Sequence, residues 1–255
     1  MRWRSAGGAS GCEIGLLFTA VLFSSWGISL VELLRTGPDQ LSWWGLVAAV
    51  LLRSQLQTGL FIIGHDAMHG VLWPEQPRRN QALGALALGV YAALPYAKCR
   101  RKHQRHHSDT ATAHDPDFPA DGRADLWSWY RQFMAGYLSW PQMGLLLGGW
   151  LLLGLLFQPV NAEAWISVLL FCTLPLLISS WQLFVFGTYL PHRAQRWPIQ
   201  QAEPSSLELP SWLSLLACYH FSYHREHHQN PGLRWFELPS ARRRSRPSTL
   251  QASLR

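Results

Sequence analysis

Four stretches of the chain, residues 12–34, 41–64, 143–160 and 165–190, are predominantly apolar. A helix needs about 17–25 such residues to cross the hydrocarbon core of a bilayer, so each is predicted to span, the third at the short limit. The first has no small-residue cleavage site after it and reads as a retained span. A fifth apolar run, residues 81–96, is interrupted by Gly84, Gly89 and Pro95, and it lies between Arg78/Arg79 and the cluster Lys98, Arg100, Arg101 and Lys102. A full crossing there would carry the basic cluster to the opposite face, so an interfacial or re-entrant segment is expected. Residues 107–125 and 191–210 then read as loops, and residues 241–255, rich in Arg and Ser, as a flexible basic tail near anionic headgroups. The expected fold is all-α and integral to the membrane: one domain over residues 1–255, with four transmembrane helices under a cytoplasmic helical cap.

Charge supplies the orientation. The chain carries 22 Lys and Arg against 15 Asp and Glu, a net charge of +7. With a cytoplasmic N-terminus, the loop at 36–40 and the turn at 161–164 are external. Arg35 is then at an outer end and Arg53 within the second span, which leaves 20 basic residues inside. This is the positive-inside asymmetry, and it accounts for the charge without a nucleic-acid partner, for which no base-stacking module is present. The four cysteines, Cys12, Cys99, Cys172 and Cys218, lack CxxC spacing and form neither a disulfide frame nor a thiolate site.

Histidine is where chemistry enters. Nine of the eleven histidines fall in three groups: His65/His69, His103/His106/His107 and His220/His224/His227/His228. Residues three or four apart share a helix face, so each group can present several imidazoles to one point, the third as a stripe over two turns. Neutral imidazole suits zinc, copper, iron or nickel, and residue type does not choose among them. A closed structural zinc site takes only four ligands. Two metal ions, each with four or five imidazoles and an open position, match the inventory better. Asp66, Asp115, Asp117 and Glu226 are expected to accept N–H bonds from ligand rings, and His114 stands alone as a surface residue. His192, at the end of the fourth span, falls on the same membrane face as the three groups.

With His65-Asp-Ala-Met-His69, His103-Gln-Arg-His106-His107 and His224-Arg-Glu-His227-His228, the chain resembles the integral-membrane fatty-acid desaturases and hydroxylases, whose three histidine boxes hold a di-iron centre. The longer words GLFIIGHDAMHG (59–70), LPYAKCRRKHQRHH (94–107), DPDF (115–118), FGTYLPHR (186–193) and CYHFSYHREHH (218–228) are similar to those of the bacterial and cyanobacterial β-carotene ketolases. The resemblance implies two ferrous ions held by His65, His69, His103, His106, His107, His192, His224, His227 and His228. It places Asp66, Asp115, Asp117 and His220 behind those ligands. It implies dioxygen as co-substrate, and a carotenoid entering from lipid to meet Trp181, Phe184, Phe186 and Tyr189 late in the fourth span. Two hydroxylations at C4 of a β-ionone ring, then loss of water, would give a ketone, taking β-carotene through echinenone to canthaxanthin.

No flavin, nicotinamide or iron–sulfur motif is present, so electrons must arrive from outside. The basic residues 98–102 and 242–244 suit an acidic donor such as reduced ferredoxin. One position departs from the desaturase pattern. Where acyl desaturases carry an asparagine four residues before the last-span histidine, this chain has Thr188. A carotenoid ring hydroxylase, an acyl-lipid desaturase and a membrane metal-binding or transport protein are the other readings. A transporter would need polar ligands along a path through the spans.

Overall fold

The computed structural model describes residues 9–119, 125–193 and 203–245, which contain helices and no strand. The helices are α1 (Ala9–Thr36), α2 (Trp43–His69), α3 (Pro77–Ala92), α4 (Tyr96–Ser108), α5 (Leu126–Tyr137), α6 (Trp140–Phe157), the long bent α7 (Ala164–His192), α8 (Ser211–Cys218), α9 (His224–Gln229) and α10 (Leu238–Ser245). Among the described residues α1, α2, α6 and α7 are each long and apolar enough to cross a membrane. Their outward faces carry exposed Leu17, Val21, Leu51, Leu145, Leu155 and Leu177, and so much contiguous apolar surface is stable only against lipid. The protein is a membrane protein.

Helix α2 is the axis of the fold. Ser42 caps its start by accepting from the Gly45 N–H at 3.2 Å, and Gly70 ends it in the left-handed conformation at φ 76°, which costs glycine nothing. The helix runs five residues past the apolar stretch read from the sequence, so the first histidine box occupies its last turns. Beside those turns α3 packs closely, because Gly64 has no side chain: a Cβ there would sit 2.5 Å from Leu88 Cδ2. Next, α4 leaves α3 at 99° after Ala93 takes a positive φ of 54°, so the two do not form one straight span. The Ala67 carbonyl, in the last turn of α2 where helical donors run out, accepts from Asn80 Nδ2 at 2.8 Å and Tyr96 Oη at 2.7 Å. Those bonds set the start of α4 against the end of α2.

Two wide π-turns, Leu169–Thr173 and Val185–Tyr189, interrupt α7. At the first, Arg53 of α2 donates through Nε to the Phe171 carbonyl at 3.1 Å and through Nη1 to the Trp26 carbonyl and Ser29 Oγ. A cation in the second span is thus spent on backbone carbonyls that hydrocarbon could not satisfy. Asn161 Nδ2 donates to the Leu34 carbonyl at 2.9 Å, joining the end of α1 to the start of α7. The C-termini of α2 and α7 therefore emerge at the same end of the bundle.

Two sequence expectations are corrected. Residues 241–245 are not a flexible tail but the end of α10, with Ala241 and Arg242 buried, because Arg242 is held by Glu226 at 2.9 Å and by Glu208. Residues 246–255 lie outside the described residues. Nor do His220, His224, His227 and His228 share one helical stripe. Tyr219 and His220 take positive φ, 47° and 67°, which ends α8 and turns the chain before α9 starts at His224.

Gly64→Val should drive a branched side chain into Leu88 and prise α3 from α2. Overpacking of this kind costs about 1–3 kcal/mol, read as a lower melting temperature of the purified protein in detergent.

Candidate metal centre

The ends of α2, α4, α7 and α9 bring nine histidines into two groups, His65, His69, His103, His107 and His227 in one and His106, His192, His224 and His228 in the other. Within each group, one nitrogen from every ring lies within 4.8 Å of all the others. In the five-histidine group the Nε2 atoms of His69 and His103 are 2.8 Å apart, His103 and His107 3.1 Å, and His107 and His227 3.0 Å. In the second group, His106 and His228 are 3.1 Å apart and His228 and His224 3.0 Å.

Hydrogen bonding alone cannot satisfy this arrangement. Each Nε2 carries either one proton or one lone pair, yet Nε2 of His103, of His107 and of His228 each faces two others. A shared cation can satisfy it, since metal–imidazole bonds of about 2.0–2.1 Å place nitrogens at right angles about 3.0 Å apart. The donor set thus fits two metal ions side by side. Helix geometry explains the division: neighbours in sequence point about 100° apart, so His106 and His107 serve different groups, as do His227 and His228.

Electrostatics favour the ligand form. Burial, reinforced by the neighbouring imidazoles, pushes His103, His107, His224, His227 and His228 well below the ordinary histidine range. They are neutral at pH 7, with lone pairs available to a cation. His106 differs. Burial again disfavours its charge, but the Asp115 carboxylate outweighs that and raises it. Asp115 Oδ1 accepts from His106 Nδ1 at 2.9 Å and from the Asp117 N–H at 2.9 Å, while Oδ2 accepts from the Ala111 N–H at 2.9 Å. Burial opposes the charge on Asp115, but His106 and those backbone donors hold its carboxyl below the usual range. The bond directs His106 Nε2 at the second group and sets its tautomer.

The other carboxylates differ from one another. Asp66 Oδ1 lies 3.8 Å from His65 Nδ1, beyond hydrogen-bond length, while Oδ2 accepts from the Trp235 N–H at 3.3 Å. Asp117 meets no imidazole, but pairs with Lys102 Nζ at 2.9 Å and receives the Tyr137 hydroxyl. Glu226 points away from its flanking histidines on α9 and binds Arg242 and Ser206. His220 lies outside both groups, bonded through Nδ1 to Ser214 Oγ at 3.2 Å and stacked near Tyr223 and Trp235; burial pushes it down to about 4. Lone His114 is exposed.

A small cavity of about 60 Å³ touches His65, His103, His106 and His224, and Thr188 is in its wall. A larger one of about 270 Å³, almost wholly apolar, lies between α3, α5, α6 and α7. Four residues line both: Phe61, Phe133, Tyr137 and Leu183. Trp181, Phe184, Phe186 and Tyr189 line neither. Trp181 stacks on Trp127 at 4.9 Å, and Phe184 and Tyr189 pack with Trp129, Tyr130 and Phe133 to seat α5 on α7. Phe186 packs against the main core. Of the residues lining both cavities, Phe61 stands one helical turn before His65, and Phe133 and Tyr137 stand four apart on α5.

The fatty acid desaturase family model matches residues 41–254. A β-carotene ketolase of Paracoccus sp. is 41% identical over 202 residues, 77% of this chain and 78% of that protein. Another, from Paracoccus sp. strain PC1, is 40% identical over 190 residues, 74% and 75% of the two chains. The zeaxanthin 4-ketolase of Chlamydomonas reinhardtii is 36% identical over 245 residues, 93% of this chain and about half, 53%, of the algal protein. Histidine boxes, flanking words and membrane helices agree with these matches, and the chain belongs to the fatty acid desaturase family, within the group formed by the β-carotene ketolases.

Proposed function

We propose that the protein is a membrane di-iron oxygenase that places keto groups at C4 and C4′ of β-carotene, by way of echinenone, to give canthaxanthin. The observation that carries this reading is the pairing of two adjacent histidine groups with an apolar cavity that opens toward them. His65, His69, His103, His107 and His227 hold one iron, and His106, His192, His224 and His228 the other. When bound, the iron pair supplies activation of dioxygen for removal of hydrogen from a C–H bond. The protein does the rest. Its buried imidazoles stay neutral, Asp115 fixes the His106 ring, and the apolar walls exclude water from the reacting carbon.

The substrate is a neutral hydrocarbon, and the larger cavity suits it, being lined by Leu94, Leu138, Leu146, Leu176 and Leu177 with few polar atoms. The allylic C4 hydrogen is weakened by the neighbouring double bond. Each hydroxylation consumes one dioxygen, two electrons and two protons and releases one water. Two rounds at one carbon give a geminal diol, which loses water to leave the ketone. An external donor of the ferredoxin type supplies the electrons, docking on the face that carries Lys98 and Arg101 on α4 and Arg243 on α10, where opposite charge steers association.

The positive-inside rule orients the bundle with its N-terminus and histidines on the cytoplasmic side, where α4, α5, α8, α9 and α10 make the helical cap of a single domain. Asp66 and His220 act from behind the ligands: Trp235 stacks near His220 and donates to Asp66 beside His65.

Expression in cells that accumulate β-carotene should yield echinenone and canthaxanthin by pigment chromatography, and His106→Ala or His227→Ala should abolish both. Hydroxycarotenoids as the sole products would replace this reading with that of a ring hydroxylase. Elemental analysis of the membrane-purified protein should find two irons per chain; zinc at one per chain would sink the di-iron assignment. Asp115→Asn, which keeps the shape but weakens the hold on His106, should lower iron affinity by about ten- to hundredfold, measured by competition with a chelator.

A further inference from the structure

Where the two cavities share their lining, the described residues are apolar except at one place. Among the four residues that line both, Phe61, Phe133 and Leu183 have no polar side-chain atom, and Tyr137 has a hydroxyl. That hydroxyl lies 3.3 and 3.4 Å from the two carboxylate oxygens of Asp117. Lys102 completes the cluster, with Nζ 2.9 Å from Asp117 Oδ1 and 3.5 Å from the centre of the Tyr137 ring. Burial first, then the Asp117 charge, raises Tyr137 well above the ordinary phenol range, so the phenol keeps its proton and donates it to the carboxylate. The lone pairs of Tyr137 Oη then remain as acceptors on a residue that lines both cavities. A hydrocarbon ring has no donor to offer them, and burying a polar group against it is costly. The seating of α5 does not need the hydroxyl either, because the Asp117 carbonyl already holds the Trp129 indole N–H at 2.9 Å.

We propose that Tyr137, held by Asp117 and Lys102, accepts a hydrogen bond from the alcohol formed by the first oxidation and keeps that carbon in place for the second. This rests on the ketolase reading above. The first round converts the ring CH2 to CHOH, with dioxygen as oxidant and two electrons from the external donor, one oxygen atom leaving as water. The second round, with the same stoichiometry, replaces the remaining C–H with C–OH, and the diol then expels water. An alcohol released after the first round ends as a hydroxycarotenoid, whereas one that is retained becomes the ketone. One such bond favours the hydroxylated ring modestly over the hydrocarbon, so this position bears on product identity without excluding the hydrocarbon of the first round.

Tyr137→Phe removes the hydroxyl alone. In β-carotene-accumulating cells the ratio of 4-hydroxy to 4-keto products should rise about fivefold or more, the effect of one lost hydrogen bond, and Asp117→Asn should move it the same way. In parallel, the unreduced holoprotein in nanodiscs under anaerobic conditions should bind 4-hydroxy-β-carotene about fivefold more tightly than β-carotene, read by quenching of tryptophan fluorescence. Tyr137→Phe should erase that preference. An unchanged product ratio, a preference that survives in Tyr137→Phe, or loss of every oxidised product with iron retained would overturn the assignment. A wild-type protein that makes no ketone would instead count against the ketolase reading, and the binding preference would then decide the role of Tyr137 by itself.

Discussion

Nine buried or half-buried imidazoles, gathered in two groups whose ring nitrogens lie within 4.8 Å of one another, are the constraint around which the structure is organised. Neutral rings in such a cluster leave their lone pairs facing each other, and protonated rings would repel within a medium that penalises every charge. His103 shows the difficulty, with Nε2 2.8 Å from that of His69 and 3.1 Å from that of His107. A pair of cations would resolve it, and the surrounding helices hold the rings in place. The end of α2 is tied to α3 and α4 through the Ala67 carbonyl, α7 is reset by a π-turn just before His192, and α9 is pinned by the Glu226–Arg242 pair.

The bilayer imposes the second constraint. In hydrocarbon an irregular backbone must find its partners within the protein, and α7 has two irregular turns. Arg53 answers for the first, giving donors to Phe171 and Trp26 carbonyls from the interior of α2. Gly154 answers a packing need on the other side: a Cβ there would lie 2.3 Å from the Trp165 ring, so its absence allows α6 to lie against α7. Both devices keep α7 upright and close, and His192 at its end depends on that placement.

Much of this was legible in the sequence because hydrophobic runs and histidine spacing are local signals. The four long helices follow the four apolar runs, with the second extended to His69 and the third shifted to Trp140–Phe157. The bend between α3 and α4 falls where Pro95 and the basic cluster interrupt the fifth run. Side-chain direction was less legible. Glu226 sits inside the third box yet faces Arg242, because one step along a helix turns a side chain by about 100°. His220 keeps helical spacing from His224 but sits on a turn of positive φ, which spacing cannot reveal. The residues that line both cavities, Phe61, Phe133, Tyr137 and Leu183, are drawn from α2, α5 and α7, and only tertiary packing brings those together.

Helix α2 belongs to both environments, and this has a consequence for how substrate and site meet. Exposed Leu51 and Leu52 lie near its middle, while His65, Asp66 and His69 lie in its last turns and are buried. Phe61 is between them and lines both cavities. The distance from Phe61 to His65 is one helical turn, about 5–6 Å of rise, so the apolar cavity ends within one turn of the histidines. On the proposed reading, a ring carbon in that cavity would reach the site without passing through water. The same continuity explains why a polar group at the junction carries weight. Among the described residues, the hydroxyl of Tyr137 is the only side-chain polar atom in the lining that the two cavities share.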